Sequence, residues 1–78
     1  MKFTIYSRPG CPYCTKIKSI LSAKGFQYKE AVLGNHFNRD QFYAEFGKGS
    51  TFPQVLMDGR KLGGCTESVQ YLRENKLI

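Results

Sequence analysis

The 78-residue sequence lacks the features of several large protein classes. It has no apolar run approaching the ~20 residues needed to cross a bilayer. Residues 1–7 lack the apolar core and the small-residue cleavage site of a signal peptide. Its three cysteines are an odd number, unlike the even disulfide framework of small secreted domains. We therefore expect a cytoplasmic protein that does not bind a membrane.

Acidic residues are also scarce: six Asp and Glu stand against twelve Lys and Arg, which gives a net charge of +6. The basic residues are scattered in the sequence, as is typical of a solvated surface. An anionic small-molecule substrate or an acidic protein partner is the alternative interpretation. Neither zinc-finger spacing nor an RNP-type aromatic motif accompanies the charge, so we expect no nucleic-acid partner.

The chain has no linker, internal repeat or low-complexity segment, which predicts one domain over residues 1–78. The hydrophobic pattern and the turn signals predict seven elements. They are a strand over 2–7, a helix from Pro12 to Gly25, a strand over 26–33, a helix that begins with an Asn38–Gln41 capping box and ends at Gly47, a hairpin of 54–57 and 60–62 around Asp58-Gly59, and a last helix with Val69 and Leu72 facing inward.

This β-α-β-α-β-β-α order predicts an α/β fold. The first βαβ unit implies a parallel strand pair with a right-handed crossover, and the Asp-Gly turn implies an antiparallel pair. A mixed four-stranded sheet flanked by three helices follows.

The motif Cys11-Pro12-Tyr13-Cys14 directly follows the first predicted strand. A disulfide closing so short a loop would stabilise the fold by only about 2 kcal/mol, against about 3 kcal/mol for a fifteen-residue loop. Redox chemistry is therefore the better explanation. Cys11 is predicted at the N-cap of a helix, where free N–H groups and the macrodipole favour a thiolate, and Arg8 adds positive charge nearby. Cys14, inside the first turn, is less accessible and suits a resolving role.

A half-zinc site is the alternative for the two cysteines. It would need two more ligands, and only Cys65 and His36 remain, distant in sequence and in no ligand pair. We therefore expect no metal.

Three motifs together resemble the dithiol glutaredoxins. They are Cys11-Pro12-Tyr13-Cys14, Thr51-Phe52-Pro53 before a strand, and Gly63-Gly64-Cys65-Thr66-Glu67 before the last helix. The resemblance covers essentially the whole chain in order and spacing. It implies a thioredoxin-like fold and a redox-active Cys11–Cys14 disulfide, with Cys11 as the nucleophile and Cys14 as the resolving thiol.

The resemblance also implies a glutathione groove. Its expected residues are Arg8, Tyr13, Thr51, Phe52, Pro53, Gly64, Cys65, Thr66 and Glu67. Pro53 should be cis and face Cys11, which leaves the backbone N–H and C=O of Phe52 free to pair with an extended peptide. The N-terminus of the last helix suits the γ-glutamyl carboxylate. Without the resemblance, Pro53 is a strand-start proline and Tyr13 a spacer that packs on the helix start.

The chain departs from the family pattern at one place. Many members carry two aspartates where this chain has Thr66 and Glu67, so Glu67 is the carboxylate expected to reach the amino group of glutathione. Cys65 is either a small, partly buried residue or a site of glutathionylation. Arg39 and Lys48 are candidates for the glycyl carboxylate, and His36 is expected on the surface.

The expected function is that of a monomeric, glutathione-dependent thiol-disulfide oxidoreductase that maintains redox homeostasis. Glutathione would be the co-substrate, and disulfide-containing or glutathionylated proteins the partners; ribonucleotide reductase is a partner that the resemblance suggests. One alternative is a redoxin reduced by thioredoxin reductase. Another is a dimer that holds an iron–sulfur cluster through Cys11 and glutathione, which the stiffening effect of Pro12 disfavours.

Overall fold

The structure consists of four strands and three helices. In the computed structural model of the chain, which describes residues 1–78, the elements are β1 (Phe3–Ser7), α1 (Pro12–Ala23), β2 (Tyr28–Val32), α2 (Arg39–Phe46), β3 (Gln54–Met57), β4 (Arg60–Gly63) and α3 (Cys65–Glu74). The four strands form one sheet in the order β2-β1-β3-β4. The predicted element order and the mixed sheet are confirmed.

The sheet contains one parallel and two antiparallel strand pairs. β1 and β2 are parallel, with Ile5 opposite Glu30, and β1 is antiparallel to β3, with Ile5 opposite Val55. β3 and β4 form the predicted hairpin, and a register irregularity between Val55 and Leu56 was not predicted. The C-terminal end of β1 therefore has neighbouring strands on both sides, and the Cys11 motif begins four residues beyond it.

The main core lies on the face of the sheet that α1 and α3 cover. Alternate residues of β1 point there, and Phe3 and Ile5 are buried together with Ile17 and Leu21 of α1. Full burial of one such aliphatic side chain contributes about 1.5–3 kcal/mol. Leu72 is buried in the same core as predicted, whereas Val69 is partly buried at its edge.

The other face of the sheet carries an aromatic cluster. Its members are Tyr6, Phe37, Phe42, Phe46 and Phe52. The Phe42 and Phe52 rings are stacked, with centroids 4.1 Å apart and planes 13° from parallel. The predicted Asn38–Gln41 capping box is present and starts α2, which supplies the buried Phe42. No helix is both long and apolar enough to span a bilayer.

Candidate functional site

The first turn of α1 holds the cysteine pair. Cys11 is the N-cap in extended backbone conformation, and its Sγ accepts a hydrogen bond from the backbone N–H of Cys14 at 3.2 Å. Pro12 occupies the first helical position, where its missing N–H costs nothing. Cys11 and Cys14 form a disulfide, and the two residues are only 5 % and 2 % exposed. The predicted helix start and its sulfur cap are confirmed.

The electrostatics of this helix end favour a negative sulfur. No acidic residue lies in the first turn of α1, so no side chain neutralises the positive end of the helix macrodipole. The Cys11 Sγ accepts a hydrogen bond from one N–H of that turn, that of Cys14. The other N–H groups of a first helical turn have no partner within the helix. This arrangement favours thiolate formation at Cys11.

A shallow groove of about 280 Å³ lies beside the cysteine motif. The residues lining it are Tyr13, Thr51, Phe52, Pro53, Gly64, Cys65, Thr66 and Glu67. The fold thus brings the three sequence motifs together, because the loop before β3 and the start of α3 both border the groove next to Tyr13 of α1. Eight of the nine residues expected in a glutathione groove line this one surface.

The ninth, Arg8, lies elsewhere. It lines a separate cavity together with Cys11, Cys14 and Thr15, and does not line the groove. Gly10, at φ +71°, turns the chain between Arg8 and Cys11, a conformation that a glycine adopts readily. Sequence proximity to Cys11 therefore did not reveal on which side of the motif Arg8 would lie. Arg39 and Lys48 are exposed and do not line the groove either.

The loop before β3 borders the groove through Thr51, Phe52 and Pro53. The Phe52–Pro53 peptide bond is cis, as the resemblance implied, and Pro53 is buried. The Phe52 ring stacks on Phe42 of α2, and a second, looser stack with Phe37 has centroids 6.2 Å apart. The Phe52 ring is therefore held in the aromatic cluster by its stacking with Phe37 and Phe42.

The start of α3 forms the other wall of the groove. Its N-cap is Gly64, and the Gly64 N–H donates to Glu67 Oε1 at 3.4 Å. Gly63 must be a glycine for two reasons: its φ is +102°, and a Cβ there would lie 3.0 Å from the Cβ of Glu67. These glycines allow the Glu67 carboxylate to fold back against the helix start.

Cys65 is the first residue of α3 and is 6 % exposed. It belongs to the main hydrophobic core and also borders the groove. Burial raises the pKa of its thiol; nearby Lys16 opposes this effect in part, and the Glu67 carboxylate adds a smaller increase. At neutral pH this thiol is protonated, which fits the small, partly buried residue of the first interpretation.

His36 lies on the surface as expected, but it also has a structural contact. Its Nδ1 accepts a hydrogen bond from the Val32 N–H at 2.9 Å, at the end of β2. No group of three or more His, Cys, Asp or Glu side chains in the chain is arranged to hold a metal ion.

Sequence reasoning missed one charged cluster. Lys18 and Glu30 form an ion pair of 2.8 Å, and Ser7 Oγ donates to the same carboxylate at 2.6 Å. These contacts hold the pKa of Glu30 below its usual value, the Lys18 contact having the larger effect. The only available signal was the four-residue spacing from Cys14 to Lys18, which places both on one face of α1.

A thioredoxin-like fold with a Cys-x-x-Cys pair at the start of its first helix defines a thiol-disulfide redox protein. The same fold occurs in glutaredoxin 1 from Francisella tularensis, solved in complex with cacodylate, with a TM-score of 0.80 and 30 % identity over 97 % of this chain and 95 % of that one. A buckwheat glutaredoxin–glutathione complex gives a TM-score of 0.80 at 26 % identity, covering 96 % of this chain and 71 % of that one.

The family model for glutaredoxin matches residues 3–62. Glutaredoxin 3 of Escherichia coli K12 is 36 % identical over 64 residues, which cover 81 % of this chain and 76 % of that protein. The hybrid peroxiredoxin hyPrx5 of Haemophilus influenzae is 35 % identical over 68 residues, which span 87 % of this chain but only 28 % of that protein. The chain belongs to the glutaredoxin family and is a thiol-disulfide oxidoreductase of that family.

Proposed function

We propose that the chain reduces glutathione mixed disulfides and protein disulfides with glutathione as its co-substrate. One observation carries the proposal: the groove beside the Cys11–Cys14 disulfide unites Tyr13, the Thr51–Pro53 loop and the start of α3. Backbone groups near Phe52 suit the cysteinyl unit of glutathione, since an extended peptide can pair with them. The N-terminus of α3 suits the γ-glutamyl carboxylate. The glutaredoxin of similar fold that was solved with glutathione supports this assignment.

The cycle begins with the Cys11 thiolate. It attacks the sulfur of a disulfide or of a glutathionylated thiol, so that a mixed disulfide forms on Cys11 and the other sulfur leaves as a thiolate. Glutathione can then attack and regenerate the Cys11 thiolate. For a protein disulfide, Cys14 instead attacks the Cys11 sulfur and closes the disulfide that two glutathione molecules later reduce. Stabilising the Cys11 thiolate also makes Cys11 a better leaving group in each exchange.

The cellular setting is part of the same proposal. We assign the chain to the cytoplasm, acting as a monomer on disulfide-containing or glutathionylated proteins. Ribonucleotide reductase is the protein partner that the family resemblance suggests.

The test is steady-state reduction of a mixed disulfide between glutathione and a small thiol, coupled to glutathione reductase and NADPH. Cys11→Ser should reduce the rate to background, because the attacking sulfur is gone. Cys14→Ser should keep the mixed-disulfide activity and lose the reduction of a protein disulfide such as insulin.

Two outcomes would contradict the proposal. Loss of both activities in Cys14→Ser would contradict the assignment of Cys14 as a resolving thiol that only protein disulfide reduction requires. A wild-type protein that is inactive with glutathione but turns over with thioredoxin reductase would be the redoxin alternative.

A further inference from the structure

The charged cluster behind the cysteine pair has no role in the cycle described above. Lys18 Nζ lies 2.8 Å from Glu30 Oε2, and Ser7 Oγ donates to that same oxygen at 2.6 Å. The Lys18 and Glu30 side chains are only 28 % and 27 % exposed, and Ser7 is buried. Three elements, α1, β2 and β1, thus hold one ammonium group in a fixed place.

This cluster shares a cavity with the cysteine pair. The cavity has a volume of about 510 Å³, and Ser7, Lys18 and Glu30 line it together with Cys11 and Cys14. Neither Lys18 nor Glu30 lines the proposed glutathione groove. Cys14 and Lys18 are four residues apart on α1, so their side chains lie on one helix face, one turn apart. The cluster is therefore placed to act on the resolving cysteine.

We propose that Lys18, held in place by Glu30 and Ser7, favours the thiolate of Cys14 in the dithiol step. The three residues act through Cys14 and are positioning residues. The inference rests on the proposed function, because only protein disulfide reduction and closure of the Cys11 mixed disulfide require Cys14.

Closure moves the disulfide bond from the substrate sulfur to the Cys11–Cys14 pair. Cys14 releases its proton to solvent, and its thiolate attacks Cys11 Sγ in the mixed disulfide. A bond forms between the two cysteine sulfurs while the bond from Cys11 to the substrate sulfur breaks. The substrate sulfur leaves with that electron pair and takes up a proton from solvent. Cys14 and Cys11 are then oxidised, and the substrate thiol is reduced.

Charge at this site comes from three side chains. Lys18 and Arg8 line the cavity as cations, and Glu30 lines it as an anion. His36 lies near Glu30 in the loop after β2, and its Nδ1 accepts a hydrogen bond from the Val32 N–H. Because Lys18 neutralises Glu30, removing the Lys18 ammonium would both withdraw a cation and leave an unpaired carboxylate. Both changes disfavour a thiolate at Cys14.

Removal of the Lys18 ammonium should slow the closure of the mixed disulfide by Cys14. If removal of Lys18 raises the Cys14 pKa by about one unit, the thiolate fraction at pH 7 falls about tenfold. The more basic thiolate gains about threefold in intrinsic nucleophilicity with a Brønsted slope of ~0.45. Closure should therefore slow by about three- to fourfold, and its pH profile should shift upward by about one unit.

The experiment is a single turnover of the reduced full chain with excess glutathione disulfide, quenched with acid and followed by mass spectrometry. It separates formation of the mixed disulfide on Cys11 from its closure by Cys14. Lys18→Met should form the mixed disulfide at the wild-type rate and close it three- to fourfold more slowly, with the upward pH shift. Lys18→Arg should close it at the wild-type rate because the charge is retained. Lys24→Met, an exposed site at the end of α1, is the matched control for net charge.

Each result has a distinct meaning. Equal closure rates in Lys18→Met and wild type would overturn the inference, as would equal slowing in Lys18→Met and Lys24→Met. Slowing of both steps by Lys18→Met without a pH shift would indicate a structural role only, and would also overturn it. If the wild-type protein formed no mixed disulfide at all, the proposed function itself would fail.

Discussion

Cys11 and Cys65 both stand at the N-terminus of a helix, Cys11 as the N-cap of α1 and Cys65 as the first residue of α3. In α1 the sulfur itself is the cap, and no acid lies in the first turn. In α3 the N-terminus is occupied by the Glu67 carboxylate, and the cysteine packs into the main core. A helix start is therefore insufficient to activate a thiol. The two residues are almost equally exposed, at 5 % and 6 %, so the capping position and the charge of the first turn are what distinguish them.

The largest expected difference between the two sites is in thiol reactivity. In reduced Cys14→Ser protein, we expect iodoacetamide to modify Cys11 at least tenfold faster than Cys65 at pH 7. A thiol with the ordinary pKa of 9.0 is about 1 % thiolate at that pH, and the raised pKa of Cys65 makes its fraction smaller. The difference should narrow as the pH rises towards the Cys65 pKa.

Peptide mass spectrometry measures both rates in one sample. Protein unfolded in denaturant is the control, because the two thiols should then react alike. Equal alkylation rates of Cys11 and Cys65 in the folded protein would contradict the expected difference in thiol reactivity between the two helix starts.

A smaller effect is expected at α3, where the comparison concerns ligand binding. Glu67→Gln should raise the KM for glutathione two- to fivefold and leave kcat unchanged, since an exposed ion pair with the glutathione amino group contributes about 0.5–1 kcal/mol. Steady-state kinetics over a range of glutathione concentrations measures it. Glu67→Asp is the charge-preserving control. A lower KM in Glu67→Gln would mean that the carboxylate competes with glutathione for the helix N-terminus.

The smallest effect is expected from adding a carboxylate near the start of α1, at Thr15, one position further into the helix than Glu67 is in α3. Thr15→Glu adds a carboxylate near the Cys11 sulfur, and such a charge interacts with a helix end by about 0.3–1 kcal/mol. The Cys11 pKa should rise by about 0.2–0.7 units. The pH dependence of alkylation gives this value. Thr15→Gln, which equally removes the threonine hydroxyl, should leave the pKa unchanged, and a shift of the same size in that variant would assign the effect to the lost hydroxyl.

The features that the sequence predicted correctly depend on local spacing. The helix start at Cys11, the Asn38–Gln41 capping box and the Asp58-Gly59 hairpin each follow from residues within a few positions of one another. The grouping of Tyr13, the Thr51–Pro53 loop and the start of α3 in one groove was also predicted, from the family resemblance.

The features that the sequence did not reveal depend on contacts between distant segments. The Lys18–Glu30–Ser7 cluster requires the register of β1 against β2 and the packing of α1 above both. The aromatic cluster draws on β1, α2 and two loops, and no short pattern indicates which rings will stack. Arg8 was expected in the groove from the family resemblance, whereas the structure places it in the separate cavity that Cys11 and Cys14 line, on the other side of the turn at Gly10.

The stack of Phe52 on Phe42 has a consequence for specificity and for how the groove can vary. Because the Phe52 ring is stacked in the aromatic cluster, a ligand bound as we propose would pair with the peptide backbone of that residue. Every amino acid except proline carries the same backbone groups, so this part of the groove should tolerate substitution of the side chain as long as the replacement still fills the cluster. Discrimination between ligands then falls to the exposed side chains at the rim, Tyr13, Thr66 and Glu67, which can change without disturbing the core.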